Sequence, residues 1–288
     1  MKTKHIGVLA IILASIMWAI EPIFAKLSYE NSNFIETSVI RAIFAALTAL
    51  TYIIITNKSN IKINKKQLPV LIYIAIIGTL FADLIYFYAL TQVPVINAVL
   101  IGHMQPIFII LFGFLVLRSD KLTKFDYFGI LLMIMSGLLV TTKTLENLSM
   151  FRLGTYGDLL VLFATISWAT TAIAMRKYIK DMNAGVVTFY RFLFASACFL
   201  IYLTLTSTIT ITSVYQILVG IIIGVGTILY YEGLKRIKAA QVSGLELSTP
   251  FFAAILGFFI LNEHVTIMQI IGMLLLLVGI FFLSKKEE

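Results

Sequence analysis

Gly7, Trp18, Lys26 and Arg41 recur as Gly157, Trp168, Arg176 and Arg191, each 150 positions later. Around the tryptophans, Ala14-Ser15-Ile16-Met17-Trp18-Ala19 reads like Ala164-Thr165-Ile166-Ser167-Trp168-Ala169. Further along, Gln105-Pro106 matches Thr249-Pro250 and Gly113 matches Gly257, both at a shift of 144. The drift between the two shifts falls in connecting segments, where length is tolerated. Each copy carries five apolar stretches long enough to cross a bilayer. Five is odd, so the second copy enters the membrane in the opposite orientation. Inverted repeats of this kind place a binding site at the repeat interface near the midplane and let access alternate between the two sides.

The ten stretches are 6–25, 34–56, 68–90, 95–117, 125–142, 155–175, 184–207, 214–234, 239–261 and 266–284. A spanning helix needs about 20 apolar residues. The chain is 60% hydrophobic and 12% charged, with a mean hydropathy of +1.00; a soluble domain carries roughly 25% charged residues. The expected fold is an all-α integral membrane protein of ten transmembrane helices, two inverted five-helix repeats (1–148 and 149–288) around a central cavity. The segments between spans are too short to hold a soluble domain.

A net charge of +8 suggests nucleic acid until the charges are placed. With the N terminus in the cytoplasm, the basic residues gather on one side. Lys2 and Lys4 are followed by Lys58, Lys62, Lys65 and Lys66, then by Arg118, Lys121 and Lys124. Arg176, Lys177 and Lys180, then Lys235, Arg236 and Lys238, and finally Lys285 and Lys286 complete the set. Of the 22 basic residues, only Lys26, Arg41, Lys143, Arg152 and Arg191 fall elsewhere. Loop-by-loop alternation is what the positive-inside rule requires. It predicts a multi-pass protein of the plasma or inner membrane with both termini cytoplasmic and no nucleic-acid partner. The first apolar run is too long for a signal peptide, carries the repeat tryptophan, and is expected to stay as the first helix. The one cysteine, Cys198, excludes an intramolecular disulfide.

The tryptophan in the first helix of each copy resembles a mark of the EamA-type family of the drug/metabolite transporter superfamily. So does the arginine opening each second helix (Ile40-Arg41-Ala42, Tyr190-Arg191-Phe192), and so does the run Ser248-Thr249-Pro250-Phe251-Phe252-Ala253-Ala254-Ile255-Leu256-Gly257 closing with Asn262-Glu263. The resemblance covers nearly the whole chain. The family pattern has the closing glutamate in both halves; here the first half reads Leu117-Arg118-Ser119-Asp120 and departs from it. The resemblance implies ten helices around a central cavity and transport of small metabolites, often amino acids or related amphipathic compounds, often outward.

Ionisable groups inside spans are costly and mark function. The first copy holds Glu21, Arg41, Asp83 and His103, the second Arg191, Glu232 and Glu246. At 1.5 Å rise per residue, Glu21 and Asp83 lie roughly 22 Å from the inner end of their helices, and Arg41 and His103 about 11 Å from the outer face. These four are expected to share one layer. Arg191 and Glu246 form a second, inversion-related layer nearer the cytoplasm, and Glu232 sits at the boundary beside Lys235 and Arg236. Glu21 adjoins Pro22, which frees the Trp18 carbonyl. Tyr86 lies one helical turn beyond Asp83, and an aromatic beside a carboxylate suits an ammonium group. His103 near a carboxylate would titrate close to neutral pH.

The substrate-binding or proton-coupling candidates are thus Glu21, Asp83, His103, Trp18, Tyr86, Glu246 and Trp168. The structural or gating candidates are Arg41, Arg191, Pro22, Pro106 and Pro250. Each retains a plainer alternative: an arginine that snorkels or orients helices, a proline that makes a static kink, a neutral hydrogen-bonded histidine. Tyr88 and Tyr231 fit interface anchors. Gly220-x-x-x-Gly224 fits close helix packing.

The expected function is a secondary active transporter of a small amphipathic metabolite, amino acid or amine-like, with export favoured and proton coupling open. The alternative is a facilitative exchanger or importer of a cationic or nucleoside-type metabolite. No Walker motif, His-Glu-x-x-His, zinc-spaced His and Cys, or nucleophile elbow is present, so neither direct ATP drive nor a membrane enzyme fits. A channel needs an open polar path with a filter, usually built by oligomer symmetry. No cofactor or metal is implied. The partners are the bilayer and a small-molecule substrate; since one chain carries both halves, the sequence sets no oligomeric state.

Overall fold

A computed structural model describes residues 2–56, 61–113, 123–179, 182–206, 210–234, 236–237, 242, 245–246 and 248–283. Among them every regular element is a helix. In the order of the chain they are α1 (Lys2–Ser28), α2 (Phe34–Thr56), α3 (Leu68–Ala89), α4 (Val95–Phe112), α5 (Lys124–Thr142), a short α6 (Leu145–Ser149), α7 (Tyr156–Tyr178), α8 (Ala184–Thr206), α9 (Val214–Leu234), α10 (Ser248–Leu261) and α11 (Ile267–Leu283). All but α6, α10 and α11 are long and apolar enough to cross a membrane, which makes eight; α10 and α11 are shorter apolar helices. The chain is a multi-pass membrane protein. Its helices follow from the solvent: in hydrocarbon each backbone N–H and C=O must be satisfied within its own segment. Large apolar side chains face outward accordingly, with Ile55 and Phe259 each 75% exposed. Cys198 also lies on the exterior.

Polar residues appear where helices start. Asn33 Oδ1 accepts from the Ile35 and Glu36 N–H groups at the start of α2, both at 2.9 Å. Capping boxes built by Thr123 with Asp126 and by Thr155 with Asp158 open α5 and α7.

Two spans depart from a plain α-helix. α3 is π-helical from Ile74 to Asp83, which widens the turn and loosens the usual backbone pairing. α4 is interrupted at His103-Met104 and resumes at Gln105 with Pro106 in its first turn. Pro106 was expected inside a helix; it instead opens one, a place where its missing N–H costs nothing. Pro250 lies within α10, and Pro22 lies inside a continuous α1.

α1 packs along α9, α2 against α8 and α9, α3 against α7 and α8, α7 against α4, α10 against α1 and α4, and α11 against α5. Glycines permit the closest of these approaches. A Cβ on Gly224 would stand 3.2 Å from the Ala45 carbonyl oxygen of α2, and one on Gly226 would stand 3.0 Å from Met17 Cβ of α1. The expected small-residue face of α9 is therefore a packing face. A buried polar chain also links three helices: Gln269 Nε2 donates to Asn97 Oδ1 at 2.7 Å, and Asn97 Nδ2 donates to Asp158 Oδ1 at 2.9 Å.

Candidate functional site

Four charged side chains meet in the interior. From α2, Arg41 Nε donates to Glu21 Oε1 of α1 at 2.6 Å, and its Nη1 donates to Asp83 Oδ2 of α3 at 2.9 Å. From α8, Arg191 Nη2 approaches both Asp83 oxygens at 3.2 and 3.3 Å. Two guanidiniums and two carboxylates balance, which a dry site needs, because an uncompensated charge there is costly. Glu21, Arg41 and Asp83 are 8%, 3% and 3% exposed.

The π-helical stretch of α3 completes the site. Thr79 Oγ1 accepts from Arg191 Nε at 2.9 Å, and the Gly78 carbonyl accepts from Arg191 Nη2 at 3.4 Å. Trp168 of α7 donates its indole N–H to Asp83 Oδ1 at 2.7 Å and lies 3.2 Å from the Gly78 carbonyl. Phe192, fully buried, lies beneath both guanidiniums, with the Arg41 and Arg191 Cζ atoms 5.4 and 5.2 Å from its ring centre. Phe87 covers Arg41 at 4.9 Å. These contacts fit the attraction of a cation to an aromatic face.

Trp168→Phe keeps an aromatic ring against Tyr86, which the indole meets at 5.2 Å, and removes the hydrogen-bond donor. It is expected to lower stability by about 1–2 kcal/mol, read from the unfolding midpoint in detergent. In an Asp83→Asn background the loss should shrink, because the charged acceptor is gone; an undiminished loss would assign Trp168 to packing alone.

The sequence placed Arg191 in a separate layer near the cytoplasm. The structure brings it to Asp83 instead. Helical rise locates backbones, whereas the long arginine side chain and the π-helical turn of α3 close the gap. His103 was expected near a carboxylate. Its Nδ1 lies 2.7 Å from the Val99 carbonyl of its own helix, at the break in α4. Trp18 packs at a tilt against Tyr230, with ring centres 5.0 Å apart, and the Tyr230 hydroxyl hydrogen-bonds Glu246. Glu246 is thus near Trp18 and apart from the arginine pairs. Glu232 pairs with Arg236 one turn on. Tyr88 is exposed, but Tyr231 packs inward with its hydroxyl on Met175 Sδ.

A second ion pair lies in the last turn of α1, five residues beyond Glu21. Lys26 Nζ donates to Glu263 Oε1 at 2.9 Å. The same oxygen accepts the Val95 N–H at 2.9 Å, and Oε2 accepts the Ile96 N–H at 3.4 Å. Glu263 therefore sits on the N-terminus of α4, where an anion is favoured. Leu117, Arg118, Ser119 and Asp120, where the first copy departs from the family pattern, lie outside the described residues.

Sequence reasoning missed Thr79, Gly78, Phe87 and Phe192, since nothing distinguishes them from packing residues until Arg191 arrives. It also missed Thr249, fully buried, whose hydroxyl has no hydrogen-bond partner among the described residues. Among those residues no cluster of His, Cys, Asp and Glu is arranged to hold a metal ion.

Comparison with known proteins gives this site its setting. The model of the EamA-like transporter family matches residues 5–142 and again residues 155–285. The chain belongs to the EamA-like transporter family. A protein of Methanothermobacter thermautotrophicus named as an uncharacterized transporter is 26% identical over 231 residues, covering 78% of this chain and 67% of its own. The pseudopaline exporter CntI of Pseudomonas aeruginosa is 26% identical over 184 residues, covering 64% of this chain and 61% of its own. A solved structure described as "Crystal structure of protein" superposes with a TM-score of 0.67 over 96% of both chains at 17% identity, a likeness of fold. The EamA-like family and these named relatives are transporters, not enzymes.

Proposed function

We propose that this EamA-like protein is a secondary carrier that moves a small amphipathic metabolite, zwitterionic or amine-like, by alternating access between two inverted five-helix repeats, 1–148 and 149–288. The single observation that carries this reading is the balanced set of Glu21, Arg41, Asp83 and Arg191, drawn from both halves of the chain. A zwitterion brings its own carboxylate and ammonium. It can exchange partners with these pairs without changing the net buried charge, so the site can open and close around it at modest electrostatic cost. Trp168 and Tyr86 supply an aromatic wall.

The packing pattern supports the inverted arrangement. The α1–α9 contact has a counterpart in α7–α3, α1–α10 in α7–α4, and α2–α9 in α8–α3. Trp18 on Tyr230 likewise has a counterpart in Trp168 on Tyr86. With α10 and α11 as the last two, the spans are ten, and the basic loops put both termini on the cytoplasmic side of the cell membrane. The relative named as an exporter favours the outward direction. Proton coupling, if present, runs through Glu21 or Asp83, the carboxylates among the four charged groups.

The test is counterflow in proteoliposomes with labelled amino acids, polyamines, choline-like amines and nucleosides, repeated across a pH step. Saturable exchange is expected for a zwitterion or an amine. Glu21→Gln is expected to fold, because a glutamine oxygen still accepts from Arg41 Nε, and to reduce transport about tenfold or more, given that hydrogen bonds to charged groups are the stronger ones. Unchanged kinetics and pH dependence in that variant would remove Glu21 from the mechanism.

A further inference from the structure

A pocket of about 460 Å³ opens between the end of α1, the turn into α2 and the end of α3, lined by Lys26, Tyr29, Ser32, Asn33, Phe34, Leu90 and Thr91. In the proposed orientation this is the outer face. Its size suits a small organic ligand. Lys26 is the charged residue of its wall.

The polar neighbours are largely committed to local backbone. Tyr29 donates to the Phe87 carbonyl, Ser32 to the Ser28 carbonyl and Thr91 to the Tyr88 carbonyl, while Asn33 Oδ1 caps α2. The Lys26 ammonium has three N–H groups, and Glu263 takes one of them. Glu263, in turn, does not depend on the lysine. It keeps the Val95 and Ile96 N–H groups and the positive end of α4. The lysine is the detachable member of this pair.

We propose that this pocket is an outer-face subsite for a ligand carrying a carboxylate and a short apolar body, and that Lys26 passes from Glu263 to that carboxylate when the ligand is seated. The carboxylate takes the lysine at the pocket floor, and Phe34, Leu90 and the Tyr29 ring cover the apolar part. Because Lys26 lies in the last turn of α1 while Glu263 follows α10 and sits on α4, the transfer also removes the charged tie from the end of α1 to those two helices. Ligand at the outer pocket and separation of the outer helix ends are thereby linked. The link to transport rests on the carrier reading; binding at the pocket does not.

The test uses three labelled probes of one shape on the purified full chain: phenylalanine, 3-phenylpropionate and phenylalaninamide. The two carboxylates are expected to bind saturably and the amide about tenfold or more weakly, the scale of a lost charge-assisted hydrogen bond. Lys26→Met should abolish the preference and Lys26→Arg should keep it. Glu263→Gln should tighten carboxylate binding, since it removes the competitor for the lysine. A purely structural pair would make Lys26→Met and Glu263→Gln weaken all three probes alike, and that result overturns the proposal. So does the absence of carboxylate binding, or a preference that survives Lys26→Met. Counterflow without any Lys26-dependent carboxylate binding defeats the pocket and leaves the carrier. Lys26-dependent binding without counterflow of any compound does the reverse.

Discussion

Arg41→Met is expected to destabilise the protein by about 3–5 kcal/mol, the cost of leaving buried charge without its partner. Glu21 loses the guanidinium that it contacts at 2.6 Å, and Asp83 loses one of its two. The effect is asymmetric. Asp83 retains Arg191 and the Trp168 indole, whereas Glu21 is left in an apolar interior 8% exposed. The double variant Arg41→Met/Glu21→Gln removes both ends of one pair and should recover roughly 1–3 kcal/mol, the range of coupling between residues in direct contact. The measurement is the unfolding midpoint of the detergent-purified variants. A double variant no more stable than Arg41→Met would show that Glu21 does not feel Arg41, and the four-charge site would lose its first link.

Gly220→Leu strikes the same site through the backbone. A Cβ on Gly220 would stand 2.7 Å from the Arg41 carbonyl oxygen, 3.1 Å from Arg41 Cα and 2.6 Å from Phe44 Cβ. Two of those three atoms are main chain and cannot swing aside. A leucine must drive α9 from α2, at an overpacking cost of about 1–3 kcal/mol or more, and it displaces Arg41 from carboxylates set by α1 and α3. The variant should therefore lose transport even in the fraction that folds. Gly113→Leu is the matched control, because a Cβ there meets nothing within 4 Å among the described residues. If both variants keep wild-type midpoints and transport, the α2–α9 contact is not tight in the native protein.

The helical spans were legible because their signal is local. A run such as Val214–Leu234 declares its state through length and apolarity alone, and lipid leaves few alternatives to a helix. The pairing of Gly220 with α2 was legible only as a small-residue spacing; which helix it met was not. Glu21, Arg41, Asp83 and Arg191 stood out one by one as ionisable groups in apolar runs. Glu21, Arg41 and Asp83 were expected in one layer and do meet; the arrival of Arg191 was not foreseen, because depth arithmetic ignores side-chain reach and assumes α-helical rise through residues 74–83, which are π-helical. That stretch reads Ile-Ala-Ile-Ile-Gly-Thr-Leu-Phe-Ala-Asp, and no residue in it announces a widened turn. His103 follows the plainer of its two readings: beside the break in α4 its ring takes a backbone carbonyl of its own helix, so a carboxylate partner is unnecessary.

From its residues alone this chain is committed to a membrane, to helices at nearly the stretches found, to the EamA-like resemblance that the family match bears out, and to a short set of intramembrane charges. Only the tertiary structure decided their partners. Arg191 crosses to an aspartate 108 residues earlier, Glu263 reaches a lysine 237 residues away and caps a helix 168 residues before it, and Phe192 comes to lie under two guanidiniums. The physical reason is one of range. Hydrophobic length and helix propensity act within a segment, whereas an ion pair between helices exists only after packing has set their separation, rotation and depth, to within the 3 Å that a hydrogen bond requires.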